Sequence, residues 1–575
     1  MKETLLDNRQ AKSEAGVRVT PALLMKNHPP FLAALLLLPL ASAAAPDRVA
    51  EASSGKIPDR GDLVLFPLDD VSIPWRDNLK LTLEEPTKYQ GNPVMRAGPG
   101  GGPDGDGALA YGTVIKQEGK FRLWYIATPR ADSRIPGEAG RFSMGSESER
   151  PIAYAESSDG IHWTRPDLGL VEFRGSRHNN LVLIEPAGAP YARAHDFVAV
   201  LDDPADPDPG CRYKMAYIAY DQPHGHWPGT ATAVSPDGLR WKLVNAATFT
   251  KGPFENSSLI KFDGLYYVAG QAGPPNDAGL PDGSPAGRVM KVFFSPDFRH
   301  WSNGRALGFY RSDYLSEPSS LGQEVHMGAG LWNRGNVVLG FYGRWRGDSI
   351  VRDPKNPGTR LRGLKIDLGF VVSNDAIHYR EPVRNFIMVS HGPDSDWDSE
   401  GVLQSNAFAN TETETYIWYS TWDTSQSDEV PPLPAPLSAR MVEKAYGVGL
   451  LTLPRDRFGY FSKLLTVSQE RNPAYNVKRD ASCLTRQLRL SRPSRLYANV
   501  GQVSPEATLR VALVDDAERP LEGYTSQLST DSFKVPVTWQ GNRQTLPTGT
   551  PFRIKVTWPV DVDNGKLYAL YVEQP

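Results

Sequence analysis

A short pattern recurs along the chain and constrains its fold more than any other feature. It consists of a serine, an aspartate, often a glycine, and an aromatic residue four positions after the aspartate. The copies read SSDGIHW at 157–163, SPDGLRW at 235–241, SPDFRHW at 295–301, SNDAIHY at 373–379 and, in degenerate form, LPRDRFGY at 453–460. Recurrence at intervals of roughly 60 to 80 residues is typical of folds built from one repeated supersecondary unit. The sequence therefore predicts five copies of such a unit.

The segments between the copies follow one order of predicted strands. Each motif is preceded by a run rich in aromatic and β-branched residues, and that run follows another strand across a turn such as QEGK, FDGL or NRGN. Four antiparallel strands in each of five repeats describe a five-bladed β-propeller, which we expect over residues 60–465. The 52 glycines and 49 prolines agree with a chain of many turns. An array of β-sandwiches, in which the motif recurs by accident, is the alternative.

The last hundred residues depart from this pattern. Residues 471–575 contain about seven short β-like runs, and apolar and polar residues alternate clearly in LRVALV and RIKVTW. Such alternation is typical of half-buried strands. We expect an all-β chain that ends in a β-sandwich accessory domain, which either binds carbohydrate or covers the propeller.

The N-terminal segment has the composition of a secretory signal. Lys26 precedes an apolar run from Phe31 to Leu40, and Ala41-Ser42-Ala43 resembles a cleavage site. We therefore expect residues 1–45 to be a signal peptide, with Met25 as an alternative start and an N-terminal membrane anchor as the alternative. No other apolar run approaches spanning length, which predicts a secreted or periplasmic protein without a membrane span.

Charge and cysteine content narrow the class of partner. The formal net charge is −3, with 63 Lys and Arg against 66 Asp and Glu, so the chain lacks the basic field that nucleic-acid binding requires. Cys211 and Cys483 are too few for a disulfide framework, and pairing between them stays open. The many tryptophans and tyrosines suit a carbohydrate partner. The sequence does not set the oligomeric state.

Candidate site residues emerge when the first strands of the repeats are aligned by their turns. The long loops lie between the second and third strands, so we expect the binding face at the end where the first strands begin. The residues in phase at that end, with acids just before them, are Glu255, His195-Asp196, His326 with Glu324, Gln404 with Glu400 and Asp398, and Ala110-Tyr111 with Asp104 and Asp106. Several carboxylates from different repeats are thus expected to face one pit.

Two stretches carry a resemblance to a known group. ENSSLIKFDGLYYV at 255–268 and HDFVAVLDD at 195–203 are similar to strands of the five-bladed propeller glycosidases, the superfamily of glycoside hydrolase families 32, 43, 62, 68 and 117. The resemblance implies that Glu255 is the general acid and that Asp196 orients it and adjusts its pKa. It also implies a base or nucleophile near Ala110 or Tyr111, where this chain has no carboxylate. We therefore expect Asp106 to supply that group, with Asp104, Glu324, Asp398 and Glu400 as the alternatives.

The chemistry of glycoside hydrolysis agrees with this assignment, because it needs one protonated and one ionised carboxyl group beside the scissile bond. Sugar rings also need aromatic platforms and polar clamps, and Arg344 suits an acidic or sulfated sugar. The expected substrate-binding residues are His195, His326, Glu324, Arg344, Trp345, Trp397, Asp398, Glu400 and Gln404.

The predicted function is that of a secreted glycoside hydrolase acting on an oligo- or polysaccharide. A carbohydrate-binding propeller without catalysis is the first alternative, and a sialidase-like enzyme is the second. No cofactor is predicted. The acids of GPDSDWDSEG at 392–401 could supply oxygen ligands to Ca²⁺, but this segment lacks the turn glycine of an EF-hand loop.

Overall fold

The structure, a computed structural model, describes most of the chain beyond the N-terminal segment. It describes residues 62–130, 134, 150–189, 191–220, 229–246, 250, 254–272, 288–311, 325–346, 365–393, 396–421, 447–464 and 479–575, without the side chain of Arg346. The predicted signal peptide and Glu324 lie outside these ranges. Within them, helices long and apolar enough to cross a membrane are absent.

The described part is all-β, as predicted. Strands of the first half are β1 (Leu63–Leu65), β2 (Trp75–Asp77), β3 (Leu79–Leu83), β4 (Thr87–Lys88), β5 (Gly107–Gln117), β6 (Lys120–Thr128), β7 (Ile152–Ser157), β8 (Leu183–Glu185), β9 (Ala194–Asp202), β10 (Tyr213–Ala219), β11 (Thr230–Ser235), β12 (Arg240–Asn245), β13 (Glu255–Phe262), β14 (Leu265–Ala272) and β15 (Val289–Ser295). Strands of the second half are β16 (Ala306–Phe309), β17 (Val325–Asn333), β18 (Val338–Arg346), β19 (Lys365–Ser373), β20 (Val402–Leu403), β21 (Asn406–Asn410), β22 (Glu414–Thr421), β23 (Val448–Pro454), β24 (Gly459–Lys463), β25 (Ala481–Leu484), β26 (Arg495–Gly501), β27 (Leu509–Val514), β28 (Pro520–Leu528), β29 (Ser532–Pro536), β30 (Arg553–Trp558) and β31 (Lys566–Glu573). Short 3₁₀ turns occupy Pro209–Cys211 and Gln540–Asn542.

The strands between residues 87 and 454 form four sheets. Their orders are β8-β12-β11-β10-β9, β13-β14-β15-β16, β17-β18-β19, and β4-β23-β22-β21-β5-β6-β7, with β20 paired to β22. Consecutive strands such as β13, β14 and β15 pair antiparallel, as the turn-separated strands of the sequence predict.

Five strands, one from each sequence repeat, contact one another in a closed order. β5 contacts β9, β9 contacts β13, β13 contacts β17, and β17 contacts β21. β21 then pairs in parallel with β5, with Asn406 opposite Thr113. The late residues of β5, β9, β13 and β17, together with β21 from its first residue Asn406, line one cavity of about 400 Å³. The first residues of β5, β9, β13 and β17 therefore share the opposite end, which we call the upper end.

The recurrent motif lies at the end of the third strand of each repeat, where it forms a turn. In the first copy the Asp159 Oδ1 accepts hydrogen bonds from the N–H groups of Ile161 and His162, both at 2.8 Å. The equivalent aspartates of the next three copies accept the same pair of bonds. These aspartates are turn-forming residues, which explains why the motif recurs without belonging to the upper end.

Tryptophans tie these turns to neighbouring strands. Trp124 of β6 donates its indole N–H to the carbonyl oxygen of Gly238 at 2.6 Å, and Trp418 of β22 donates to that of Gly160 at 2.9 Å. Among the aromatic residues of the motif itself, Trp241 is fully buried, whereas Trp163 and Trp301 are only partly buried. The motif therefore stabilises contacts between repeats.

The remaining strands form two further sheets. One has the order β29-β26-β31-β24-β3, with β1 paired to β31, and the other has the order β2-β25-β30-β27-β28. Leu496 and Leu567 of the first sheet and Val511 and Ile554 of the second belong to one buried cluster. Strands from residues 63–83 thus complete sheets that consist mostly of residues 481–573.

The two cysteines are not joined. Cys211 is partly exposed, Cys483 is buried, and both are free thiols. Burial raises the pKa of the Cys483 thiol to about 12, so it remains a neutral, apolar member of the core.

Candidate active site

Backbone irregularities at the upper end position the candidate side chains. The pairing register shifts after Leu109 in β5, at Phe197 in β9, after Asn256 in β13 and after His326 in β17. Such bulges change the direction of a side chain and are frequent beside active sites. Since they fall in the same phase of four strands, they set the geometry of one common region.

Glu255 opens β13 and is largely enclosed, with 9% of its surface exposed. Burial raises the pKa of its carboxyl group to about 7. The Arg288 charge and a hydrogen bond from Gln271 oppose this increase, whereas the negative charge of Asp196 adds to it. The group therefore exists in good part as the neutral acid near pH 7, the form that can donate a proton.

Asp196 lies in the neighbouring strand β9 in a different environment. Its Oδ2 is 3.1 Å from Nη1 of Arg150, and its Oδ1 accepts a hydrogen bond of 3.0 Å from the N–H of Phe197. Phe197 has a φ of 40°, which belongs to the local bulge. In both contacts Asp196 accepts a hydrogen bond, and a donor binds more strongly to an ionised carboxylate than to a neutral acceptor.

Gln271 connects the acid to the next inner strand. Its amide nitrogen donates to Glu255 Oε2, and its amide oxygen accepts a hydrogen bond of 2.9 Å from the N–H of Met327. Because the amide has both of its ends engaged, Gln271 fixes the rotamer of the acid and the backbone after His326.

His326 and Tyr111 meet across the upper end. The Tyr111 hydroxyl lies 2.9 Å from His326 Nε2, and the imidazole stacks on the indole of Trp345 with ring centroids 5.5 Å apart. Burial, with a smaller contribution from Arg288, holds the pKa of His326 well below its usual range. Gln404 donates to the carbonyl oxygen of His326 at 2.7 Å. The imidazole is therefore neutral and fixed in place.

The acids expected from the first repeat are engaged elsewhere. Asp106 forms an ion pair of 2.8 Å with Arg130, in which both side chains are substantially exposed. Asp104 is buried, and its Oδ2 accepts hydrogen bonds from Tyr125 at 2.7 Å and Arg165 at 2.6 Å. These contacts tie the loop before β5 to its surroundings and engage both acids with partners other than Glu255.

The acids before β20 are likewise held by cations. Asp398 is buried against Lys88 at 2.7 Å and accepts a hydrogen bond of 2.9 Å from Tyr419. Glu400 lies 3.1 Å from Lys365. Trp397 packs on Tyr419 with centroids 5.5 Å apart. This cluster supports the strand end, and its part in substrate binding stays a prediction.

Two further predicted residues differ in their placement. His195 is buried beside Asp196 in β9. Arg344 is half-buried in β18, where its charge acts on the hydroxyl of Tyr342, two positions earlier on the same side of the strand. Since neighbouring strand residues point to opposite faces, Arg344 and Trp345 do not share one surface.

The described ranges contain no group of three or more His, Cys, Asp or Glu close enough together to hold a metal ion. Asp394 of the acidic segment considered for Ca²⁺ lies outside the described residues.

Two arginines of the site were missed by sequence reasoning. Arg150 stands two residues before β7 and Arg288 one residue before β15, the third strands of their repeats. Both follow long loops, in which arginine is common, so only their equal distance from the motif aspartates, nine residues before Asp159 and Asp297, could have pointed to them.

Comparison with known proteins yields structural similarity alone. Family models and curated proteins gave no match to the chain. A glycosyl hydrolase from Bacteroides ovatus shares 13% identity at a TM-score of 0.39, over 65% of this chain and 95% of its own. A family 43 arabinoxylan arabinofuranohydrolase from Bacillus subtilis shares 11% at 0.33, over 85% and 99%. An N-acetylgalactosamine deacetylase from F. plautii shares 15% at 0.36, over 66% and 96%.

The first two neighbours are glycoside hydrolases. The third carries out a different reaction on a sugar derivative. Similarity at this level does not decide the reaction of the present chain, so the functional argument depends on its own side chains.

Proposed function

We propose that the protein is a secreted or periplasmic glycoside hydrolase, built as a five-bladed β-propeller with a C-terminal β-sandwich. One observation carries the proposal. Glu255 has a pKa of about 7 through burial, and the carboxylate that acts on it, Asp196, is held by Arg150. A buried carboxyl group with a raised pKa, together with a second carboxylate held by an arginine, is an arrangement suited to acid–base cleavage of a glycosidic bond.

Glu255 would act as the general acid. Its proton goes to the glycosidic oxygen as the bond from that oxygen to the anomeric carbon breaks. Gln271 would hold the carboxyl group in its donating orientation, since it contacts Oε2 directly. After cleavage Glu255 is left as a carboxylate and regains a proton from solvent.

Asp196 would serve as the second catalytic carboxylate. As a general base it takes a proton from the water that attacks the anomeric carbon, and the anomer of the product distinguishes this from direct attack by Asp196. This differs from the expectation that Asp106 fills the role. Asp106 is paired with Arg130 at an exposed position, whereas the charge of Asp196 reaches Glu255.

A carbohydrate-binding propeller without catalysis is the second candidate. It is favoured by Ala110 and Tyr111, which stand where the resemblance expects a carboxylate. Tyr111 is hydrogen-bonded to the neutral His326. The contact of Tyr111 with a histidine also distinguishes this site from that of a sialidase-like enzyme, in which a tyrosine would pair with a glutamate.

Chemical rescue tests these assignments. Activity should first be found by screening aryl glycosides, and Asp196→Ala should then lose most of it and regain turnover with azide, which replaces a missing base or nucleophile. Asp106→Asn is the matched control and should keep activity within a few-fold of wild type. Rescue at Asp106, with none at Asp196, would reverse the assignment, and inactivity on all glycosides combined with sugar binding would favour the second candidate.

A further inference from the structure

The cavity between the late residues of the inner strands, which we call the lower cavity, is separate from the candidate active site. Its volume of about 400 Å³ lies within the range of small-molecule sites, ~300–1,000 Å³. Glu255 opens β13, whereas Lys261, six residues later and about 20 Å further along the strand, lines the lower cavity. The proposed reaction at the upper end therefore leaves this cavity without a role.

The walls of the lower cavity are mainly apolar. Val200, Leu259 and Leu331 line it from three neighbouring inner strands. Phe408 lines it from β21, and its ring stacks on that of Trp332 with centroids 5.5 Å apart and an angle of 6° between the planes. An apolar ligand group gains free energy when it leaves water for such surroundings.

The mouth of the lower cavity carries one polar residue from each inner strand. Each stands two positions after an apolar wall residue, and together they are Lys116, Asp202, Lys261, Asn333 and Asn410. Lys116 and Asn333 are exposed, so the cavity opens to solvent here. Asp202 accepts hydrogen bonds of 2.8 and 3.1 Å from Arg212, and Lys261 lies 2.7 Å from Asp203. Two of the three charges at the mouth are therefore neutralised by ion pairs.

The third charge, that of Lys116, meets no carboxylate among the described residues. Its Nζ donates a hydrogen bond of 3.0 Å to the carbonyl oxygen of Asn410 and lies 5.4 Å from the centroid of the Phe121 ring. An ammonium group has three N–H donors, so two remain for a ligand. The acids of the neighbouring turns, Glu118 and Asp263, do not line the cavity. The mouth therefore favours an anion.

We propose that the lower cavity binds a small amphiphilic anion, an apolar chain or ring that ends in a carboxylate. The apolar part lies among the wall residues, and the carboxylate accepts hydrogen bonds from Lys116 Nζ at the mouth. Three residues of a strand span about 10 Å, which sets the length of the apolar part. The inference goes beyond the proposed hydrolase and does not depend on it, because this ligand is bound and not converted.

The experiment is calorimetric titration of the full chain with octanoate, octylammonium and acetate. Octanoate and octylammonium have the same chain and opposite charges, whereas acetate keeps the charge and lacks the chain. We expect octanoate to bind about tenfold tighter than octylammonium, because Lys116 attracts one head group and repels the other, and we expect this ratio to shrink at high salt. Acetate should bind at least about a hundredfold more weakly than octanoate, because it makes no contact with the apolar walls.

Two lysine variants test whether the charge preference belongs to this cavity. Lys116→Met removes the ammonium group and should reduce the octanoate preference to within about threefold. Lys120→Met is the matched control, because Lys120 begins β6 across the same turn, lies 3.5 Å from Glu156 and does not line the cavity. It removes the same charge from the protein and should leave the preference unchanged.

Three results would overturn the proposal: failure of octanoate to bind at millimolar concentration, equal affinity for octanoate and acetate, or an octanoate preference that survives Lys116→Met. A preference lost equally in Lys116→Met and Lys120→Met would also overturn it, since the total charge of the protein would then be responsible. Loss in Lys116→Met alone supports it. All of these outcomes leave the proposed hydrolase unaffected, because binding is measured without turnover and Glu255 lies at the other end of β13.

Discussion

Arg150 Nη1 lies 3.1 Å from Asp196 Oδ2, and these side chains are only 9% and 15% exposed. Removing one partner of such a pair leaves the other as an uncompensated buried charge. The pair therefore has a structural role as well as its proposed role at the site, and variants of its two members should differ in informative ways.

Arg150→Met should lower the free energy of unfolding by about 3 kcal/mol, because Asp196 is left without its cation. Arg130→Met removes the exposed partner of Asp106 and should cost at most about 1 kcal/mol. Denaturant unfolding of the two variants measures the difference. Equal losses would show that the Arg150–Asp196 pair is solvated like a surface pair.

Tyr111→Phe tests the contact with His326. The change deletes the hydroxyl that lies 2.9 Å from Nε2 and leaves a buried imidazole nitrogen without that bond. We expect a loss of about 1–3 kcal/mol in the free energy of unfolding. The neutral imidazole predicts that this loss is independent of pH between 6 and 8, which thermal unfolding at several pH values would check.

The recurrent turns need glycine where a tryptophan packs on them. Gly238 has a φ of +80°, and an added Cβ would lie 2.7 Å from Cζ2 of Trp124, whereas Gly119 has a φ of +79° and open space around it. Both Gly→Ala variants incur backbone strain, but only Gly238→Ala also meets the indole. It should therefore be destabilised by about 1–3 kcal/mol more than Gly119→Ala in denaturant unfolding. Equal effects would contradict the proposed contact.

The raised pKa of Glu255 also predicts how stability depends on pH. The folded protein keeps the proton up to about pH 7, whereas the unfolded chain releases it near pH 4.5. Stability is therefore lost as pH increases through that window, by up to about 3 kcal/mol. The Glu255→Gln variant has no group that ionises at this position, so it does not lose this stability. The difference in free energy of unfolding, variant minus wild type, should therefore increase from pH 5 to pH 8. A constant difference would mean that Glu255 ionises normally.

Counting residues back from the turns between the first and second strands predicts that Glu255, Asp196 and His326 lie at the same end of their strands. Each residue advances a strand by a constant rise, and a turn marks the end of the strand. Residues at equal distances from their turns are therefore expected at the same level along neighbouring strands. The turn role of the recurrent aspartates follows from local hydrogen bonds, so a role of this kind is accessible to sequence reasoning.

The partners of the acids could not be predicted in the same way. Asp106 pairs with Arg130 and Asp398 with Lys88, and these contacts depend on how distant segments pack. The bulge after Leu109 interrupts the regular pairing register of β5 at the position where the resemblance expects a base. Periodicity therefore predicts the position of a side chain along its strand, but not the direction in which it points or the residues that it contacts.

The most direct test of the account is the pH dependence of kcat/KM for wild type and Glu255→Gln on an aryl glycoside. If Glu255 is the general acid, the wild-type profile falls above about pH 7, and the variant lacks this limb and is about 10²–10⁴-fold slower at its maximum. A variant that keeps wild-type activity, or the same alkaline limb, would contradict the assignment of Glu255 as the proton donor.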